Sequence, residues 1–330
     1  MTVKSQNKLE KLSNLLIEYT FSSLGYLFVY SVNKYGLINP ITLTGIFTLI
    51  ICITVPPKYI SFFLCSCLSS VMDYRILSNM GFIFISAFFI VLQFRLIVKY
   101  LPTIGGIPGL VAFVANLLNI LIQWLISLSG IYEFNVNSFL YNLDEYAHVN
   151  IYIFIFGPIF SVVGCLGVHL VSERINKFIL LSNRVMAFCI VTAFCSLILT
   201  TFRVNYHFDK EGNAIFYGYI FAGFCNIGGL AGLTVKAKFY EYIKGYYFHH
   251  YVILGFFCGW INISIIGFGL VGGRHGVIAF IGNFIYVYIF RIFKIRKSKD
   301  SNEEDVVRTN NKETAKDYVT IENVPADSKK

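Results

Sequence analysis

The chain has 330 residues, of which 56% are hydrophobic and 14% charged, with a formal net charge of +9. This composition excludes an ordinary soluble globular protein and predicts an all-α, multi-pass (polytopic) membrane protein. It does not mark a nucleic-acid partner, because Lys and Arg stand at the ends of apolar runs rather than on one soluble face.

In chain order, residues 1–13 read as a polar cytoplasmic segment. The first apolar run, 14–32, carries Glu18 and lacks a small-x-small cleavage pattern, so it is expected to stay as a span rather than be removed as a signal peptide. Runs of a length suited to a hydrocarbon layer of roughly 30 Å follow at 36–55, 59–75, 78–97 and 104–130, then at 150–171, 180–202, 214–234, 248–270 and 275–293. The third, between Pro56, Pro57 and Lys58 on one side and Asp73 and Arg75 on the other, is the shortest. Keeping it gives ten spans.

With ten spans, Lys58, Arg95, Lys99, Arg174, Lys177, Arg184, Lys236, Lys238 and Lys244 fall on the same side as both termini, which the excess of base assigns to the cytoplasm. The loop 131–149, with Glu133, Asp144 and Glu145 and neither Lys nor Arg, falls outside. Residues 300–330 combine mixed charge with Ser, Asn and Thr and read as a disordered cytoplasmic tail. All eight cysteines fall within spans and read as small apolar residues, and no cofactor or metal site is expected.

A glycine-rich cassette occurs twice: GGIPGLVAFVAN at Gly105–Asn116 and GGRHGVIAFIGN at Gly272–Asn283, with six of twelve positions identical. Five crossings separate the copies, so the second is expected to be inverted. The first would open the fifth span at the cytoplasmic face and the second would open the tenth at the outer face. The expected architecture is a 5+5 inverted repeat, with halves 14–130 and 150–299. A weaker likeness, NPITLTGIF at Asn39 against NAIFYGYIF at Asn213, pairs the second span with the eighth and leaves the register before the cassettes open.

Gly105, Gly106 and Gly109, with Gly272, Gly273 and Gly276, allow close backbone approach and a turn at positive φ. The free N–H groups of a first helical turn also suit an anion, the more so beside Arg274 and His275. Packing and ligand contact both remain open for these glycines. On the fifth span Asn116, Asn119, Gln123 and Ser127 share one face, to which Asn283 corresponds in the second copy. That face either lines a cavity or stitches helices together. Glu18 is read as an interfacial carboxylate or a proton-coupling group, His169 as a packing residue, and Asn226 and Asn262 as isolated amides.

Ten spans with both ends in the cytoplasm and a basic run after the last helix resemble the drug/metabolite transporter superfamily. The cassette is similar to one in uncharacterised bacterial membrane proteins. The resemblance implies a transporter plan and carries over no site residue.

The expected function is secondary transport of a small polar or anionic metabolite in a bacterial inner membrane. Asn116, Asn119, Gln123 and Asn283 would line the cavity, and Arg274 and His275 would form an outer anion contact. Membrane lipids and a small-molecule substrate are the expected partners, and a homo-oligomer is compatible with the chain. A non-transporting membrane subunit or assembly protein is the alternative. A membrane-surface enzyme using Asp144, Glu145 and His148 is third, and on balance the chain reads as no enzyme.

Overall fold

The computed structural model describes residues 3–34, 38–71, 80–100, 105–130, 151–175, 183–201, 206–208, 214–233, 247–264 and 272–298. Among them are ten helices: α1 Val3–Lys34, α2 Pro40–Thr54, α3 Pro57–Ser69, α4 Gly81–Tyr100, α5 Ile107–Ser127, α6 Ile151–Ile175, α7 Asn183–Thr201, α8 Tyr217–Gly232, α9 Tyr247–Ser264 and α10 Arg274–Ser298. A short antiparallel hairpin, β1 Tyr206–Phe208 and β2 Ala214–Phe216, precedes α8. The chain divides into two units, Met1–Ile285 and Tyr286–Lys330; the described part of the second is the final stretch of α10.

Local chemistry sets several helix starts. Asn39 Oδ1 accepts the Ile41 N–H at 2.8 Å and Pro40 follows it, a cap and first-turn pairing that begins α2. Pro57 opens α3 in the same way. At α5 the cap is Gly106, held at φ 89°, a backbone conformation that a side chain would strain.

Four helical stretches are long and apolar enough to cross a membrane: Glu10–Lys34, Ile107–Ser127, Ile151–Ile175 and Arg184–Thr201. Pro40–Thr54, Gly81–Ile97 and Ile220–Gly232 are apolar but shorter. The polar segment 1–13 is helical from Val3 and continuous with the first apolar run. Two expectations need correction. The third run forms a helix of 13 residues, roughly 20 Å at 1.5 Å per residue, too short to span alone. Ten of its residues are buried, so it is a core helix enclosed by others, which explains why it is apolar on all sides. The eighth run begins as strand β2, and α8 starts only at Tyr217. Residues 131–149 and the tail 300–330 lie outside the described residues.

Packing joins α1 with α2, α3 and α4, and joins α3 with α2, α4 and α5. In the later part of the chain α6 packs with α7, α8 and α9, and α8 packs with α7 and α9, while α2 lies against α7. Glycine makes these contacts close. A methyl group at Gly25 of α1 would sit 2.7 Å from the Phe63 carbonyl oxygen of α3. At Gly45 of α2 it would sit 2.8 Å from the Ala193 Cβ of α7. At Gly164 of α6 and Gly228 of α8 it would collide with the carbonyls of Cys225 and Ser161. The glycine clusters of α8 and α9 are filled by α6 at Gly228, Gly232, Gly255 and Gly259, and by Phe188 and Thr192 of α7 at Gly229.

Gly228→Ala is expected to lower stability by about 1–3 kcal/mol through overpacking against backbone. Gly167→Ala, which faces only the Val191 side chain at 3.0 Å, should cost less. Thermal unfolding of the two variants in detergent checks the order.

Candidate functional site: the helix-start crossing and its amides

The two cassettes meet. Gly109 and Gly276 approach so closely that a methyl group on either would strike the other's backbone. On one side of this contact Gly106 lies against the Phe280 N–H and the Gly276 carbonyl; on the other, Gly273 lies against the Phe113 N–H and the Gly109 carbonyl. Gly106 and Gly273 have the same left-handed backbone, φ 89° and 88°. The contacts run in opposite directions along the two helices, so α5 and α10 cross antiparallel at their N-terminal turns. Gly105 and Gly272 are buried beside them, and a methyl group on Gly272 would collide with the Ser69 carbonyl.

One expectation fails here. Residues in backbone contact share one depth, so the fifth and tenth helices do not open from opposite faces of a layer roughly 30 Å thick.

Asn116 ties the crossing to its surroundings. Fully buried, it donates from Nδ2 to the Ser69 carbonyl at 2.9 Å and to the Gly272 carbonyl at 3.1 Å. Its Oδ1 accepts from Ser69 Oγ at 2.6 Å, Ser86 Oγ at 3.3 Å and Tyr26 Oη at 3.4 Å. One amide thus holds α1, α3, α4, α5 and the start of α10.

Asn119 Nδ2 donates to the Phe82 carbonyl at 2.8 Å and to Ser86 Oγ at 2.5 Å, and Gln123 Nε2 donates to Asn119 Oδ1 at 3.4 Å. All three amides are fully buried and engaged with protein groups, which favours the stitching role of the stripe. Ser127, at its end, bonds back to the Trp124 carbonyl of its own helix. Asn283 is also buried, with Nδ2 on the Ala279 carbonyl at 2.8 Å and the Ala231 carbonyl of α8 at 3.4 Å.

Arg274 and His275 meet α9 and α8. The Arg274 guanidinium donates to Asn262 Oδ1 at 2.8 Å, and the Asn226 amide lies 3.0 Å from His275 Nδ1. The two amides read as isolated in the sequence are the partners of the cassette's Arg and His. Spacing along the chain gave no sign of this, because Asn226 is 49 residues from its partner.

Glu18 is paired, with Arg95 Nε donating to its Oε2 at 2.7 Å. His169 is buried and stacks on Tyr251 with ring centroids 4.2 Å apart. Among the described residues no group of three metal-ligating side chains forms, and the eight cysteines are free thiols. Asp144, Glu145 and His148 lie outside the described residues.

No protein-family model, curated protein or solved structure matches this chain.

Interhelical hydrogen bonds in membrane proteins average about 0.6 kcal/mol each. Asn116→Ala, which loses five, should cost about 3 kcal/mol, and Asn283→Ala, whose bond to another helix is the one to Ala231, should cost less. Equal losses in a denaturant titration would contradict the assignment of Asn116 as the hub.

Proposed function

We propose that the chain is an integral membrane secondary transporter of a small polar or anionic metabolite, built from two five-helix halves in inverted repeat. The observation that carries this reading is the reciprocal crossing of the two cassettes. Transporters with inverted repeats bind substrate near the bilayer midplane, where helices begin within the membrane and their N-termini point to anionic groups. Two glycine helix starts in backbone contact are consistent with that feature.

The packing of the remaining helices supports the duplication. Contacts of α1 with α2, α3 and α4 are matched by those of α6 with α7, α8 and α9, and contacts of α3 with α2 and α4 by those of α8 with α7 and α9. Detail agrees: Gly25 faces the Phe63 carbonyl as Gly164 faces the Cys225 carbonyl, and Asn116 donates to α3 as Asn283 donates to α8. These matches pair the second helix with the seventh, not with the eighth as the Asn39 and Asn213 segments would have it.

The rival reading, a non-transporting subunit or assembly protein, would use the tail 300–330 and the glycine faces as working surfaces; the glycine faces of α8 and α9 are occupied by α6 and α7, and the tail lies outside the described residues. A bacterial inner membrane remains the proposed setting, and the proposal includes no cofactor or nucleic acid.

Reconstituted into vesicles, the protein should give saturable uptake of at least one compound from a panel of small organic anions and polar neutral metabolites. The same compound at 100 times its dissociation constant should stabilise the purified protein by about 2.7 kcal/mol. Gly106→Ala and Gly273→Ala should reduce flux to a similar degree, since their backbones are equivalent. A well-folded preparation giving neither flux nor stabilisation with any compound would overturn the reading.

A further inference from the structure

Gly223 of α8 is buried, yet there is room beside it. A methyl group there would meet only His275 Cε1 and Nε2, each at 3.3 Å, and no other described atom within 4 Å. At Gly228 of the same helix a methyl group would collide with the Ser161 carbonyl. The buried surface of α8 therefore has a gap at one turn, bordered by an imidazole edge.

Two polar atoms at this gap have no partner among the described residues. Asn226 stands three residues along α8, on the same face, and is 1% exposed. Its Nδ2 lies 3.0 Å from His275 Nδ1, and its Oδ1 is unpaired. An amide nitrogen only donates, so Nδ1 accepts, which a charged imidazolium cannot do; the ring is neutral and carries its proton on Nε2. That N–H lies on the edge against Gly223, and its ring is half-buried rather than sealed.

The gap thus offers one donor and one acceptor, and leaving both desolvated and unpaired costs free energy. A hydroxyl is donor and acceptor at once, so one hydroxyl, or two on adjacent carbons, can accept from Nε2–H and donate to Asn226 Oδ1. An ion fits less well. The bordering groups are a neutral imidazole, an amide and a glycine, none of which offers an opposite charge, and the adjoining Arg274 is directed to Asn262 of α9. A cation would also stand against the positive start of α10.

We infer that Gly223, Asn226 and His275 form a site for a small uncharged polyol between α8 and the start of α10. Asn226 has two tasks there: it fixes the proton of His275 on Nε2 and accepts from the ligand. This deepens the transporter reading, narrowing its cargo to an uncharged hydroxyl compound, and rests on that reading only for the ligand's being cargo.

The test uses the full chain in detergent with radiolabelled glycerol as the probe. Binding should be saturable, and unlabelled propanediol should compete. Ethanolamine and glycolate keep a hydroxyl but carry a charge, and should bind at least tenfold more weakly than glycerol, a difference of about 1.4 kcal/mol. Gly223→Ala fills the gap with a methyl group, and Gly223→Ser supplies a hydroxyl of the protein's own; both should abolish glycerol binding. Neither should lower the unfolding temperature as far as Gly228→Ala, because only the imidazole edge has to give way.

No saturable binding would mean that water alone fills the gap, and would overturn the site. So would binding that survives in either Gly223 variant, charged analogues that bind as well as glycerol, or a loss of stability in G223A equal to that in G228A. Glycerol binding that depends on Gly223, with no vesicle flux of any compound, would keep the site and sink the transporter reading. Saturable flux of another compound without glycerol binding would do the reverse.

Discussion

The backbone contact between Gly109 and Gly276 is the constraint on which the arrangement depends. In lipid, apolar side chains gain little by leaving one apolar medium for another, so helices associate through close packing and hydrogen bonds. A crossing without Cβ atoms gives the closest packing available. It also fixes what lies around it: Gly106 and Gly273 must turn at positive φ, the Gly272 carbonyl reaches Asn116, and Arg274 and His275 face Asn262 and Asn226.

The two cassettes share a backbone but differ in the polar chemistry around them. On the first side the helix start reads Ile107 and Pro108, and buried amides and hydroxyls of α1, α3, α4 and α5 gather at Asn116. On the second the corresponding pair is Arg274 and His275, each met by one amide.

Much of this was legible in the sequence. The apolar runs matched the ten helices among the described residues, and the duplicated cassette gave the two helix starts, because glycine at such positions carries a backbone requirement that survives in the text. The four-residue spacing of Asn119 and Gln123 gave the buried stripe. What was not legible depended on contacts between distant segments. Thirteen-residue α3 looked like a weak span because an enclosed core helix and a lipid-facing one are equally apolar. The meeting of the two cassettes was not legible because counting apolar runs along the chain does not say which helix ends touch.

The most direct measurement is the distance between spin labels on Leu110 and Val277, each one residue beyond the contact glycines. Two backbone steps of 3.8 Å around a van der Waals contact keep their Cα atoms within about 12 Å. Strong dipolar broadening at that short range is the predicted result. A separation near 30 Å, the thickness of the hydrocarbon layer, would place the two helix starts at opposite faces and contradict the account.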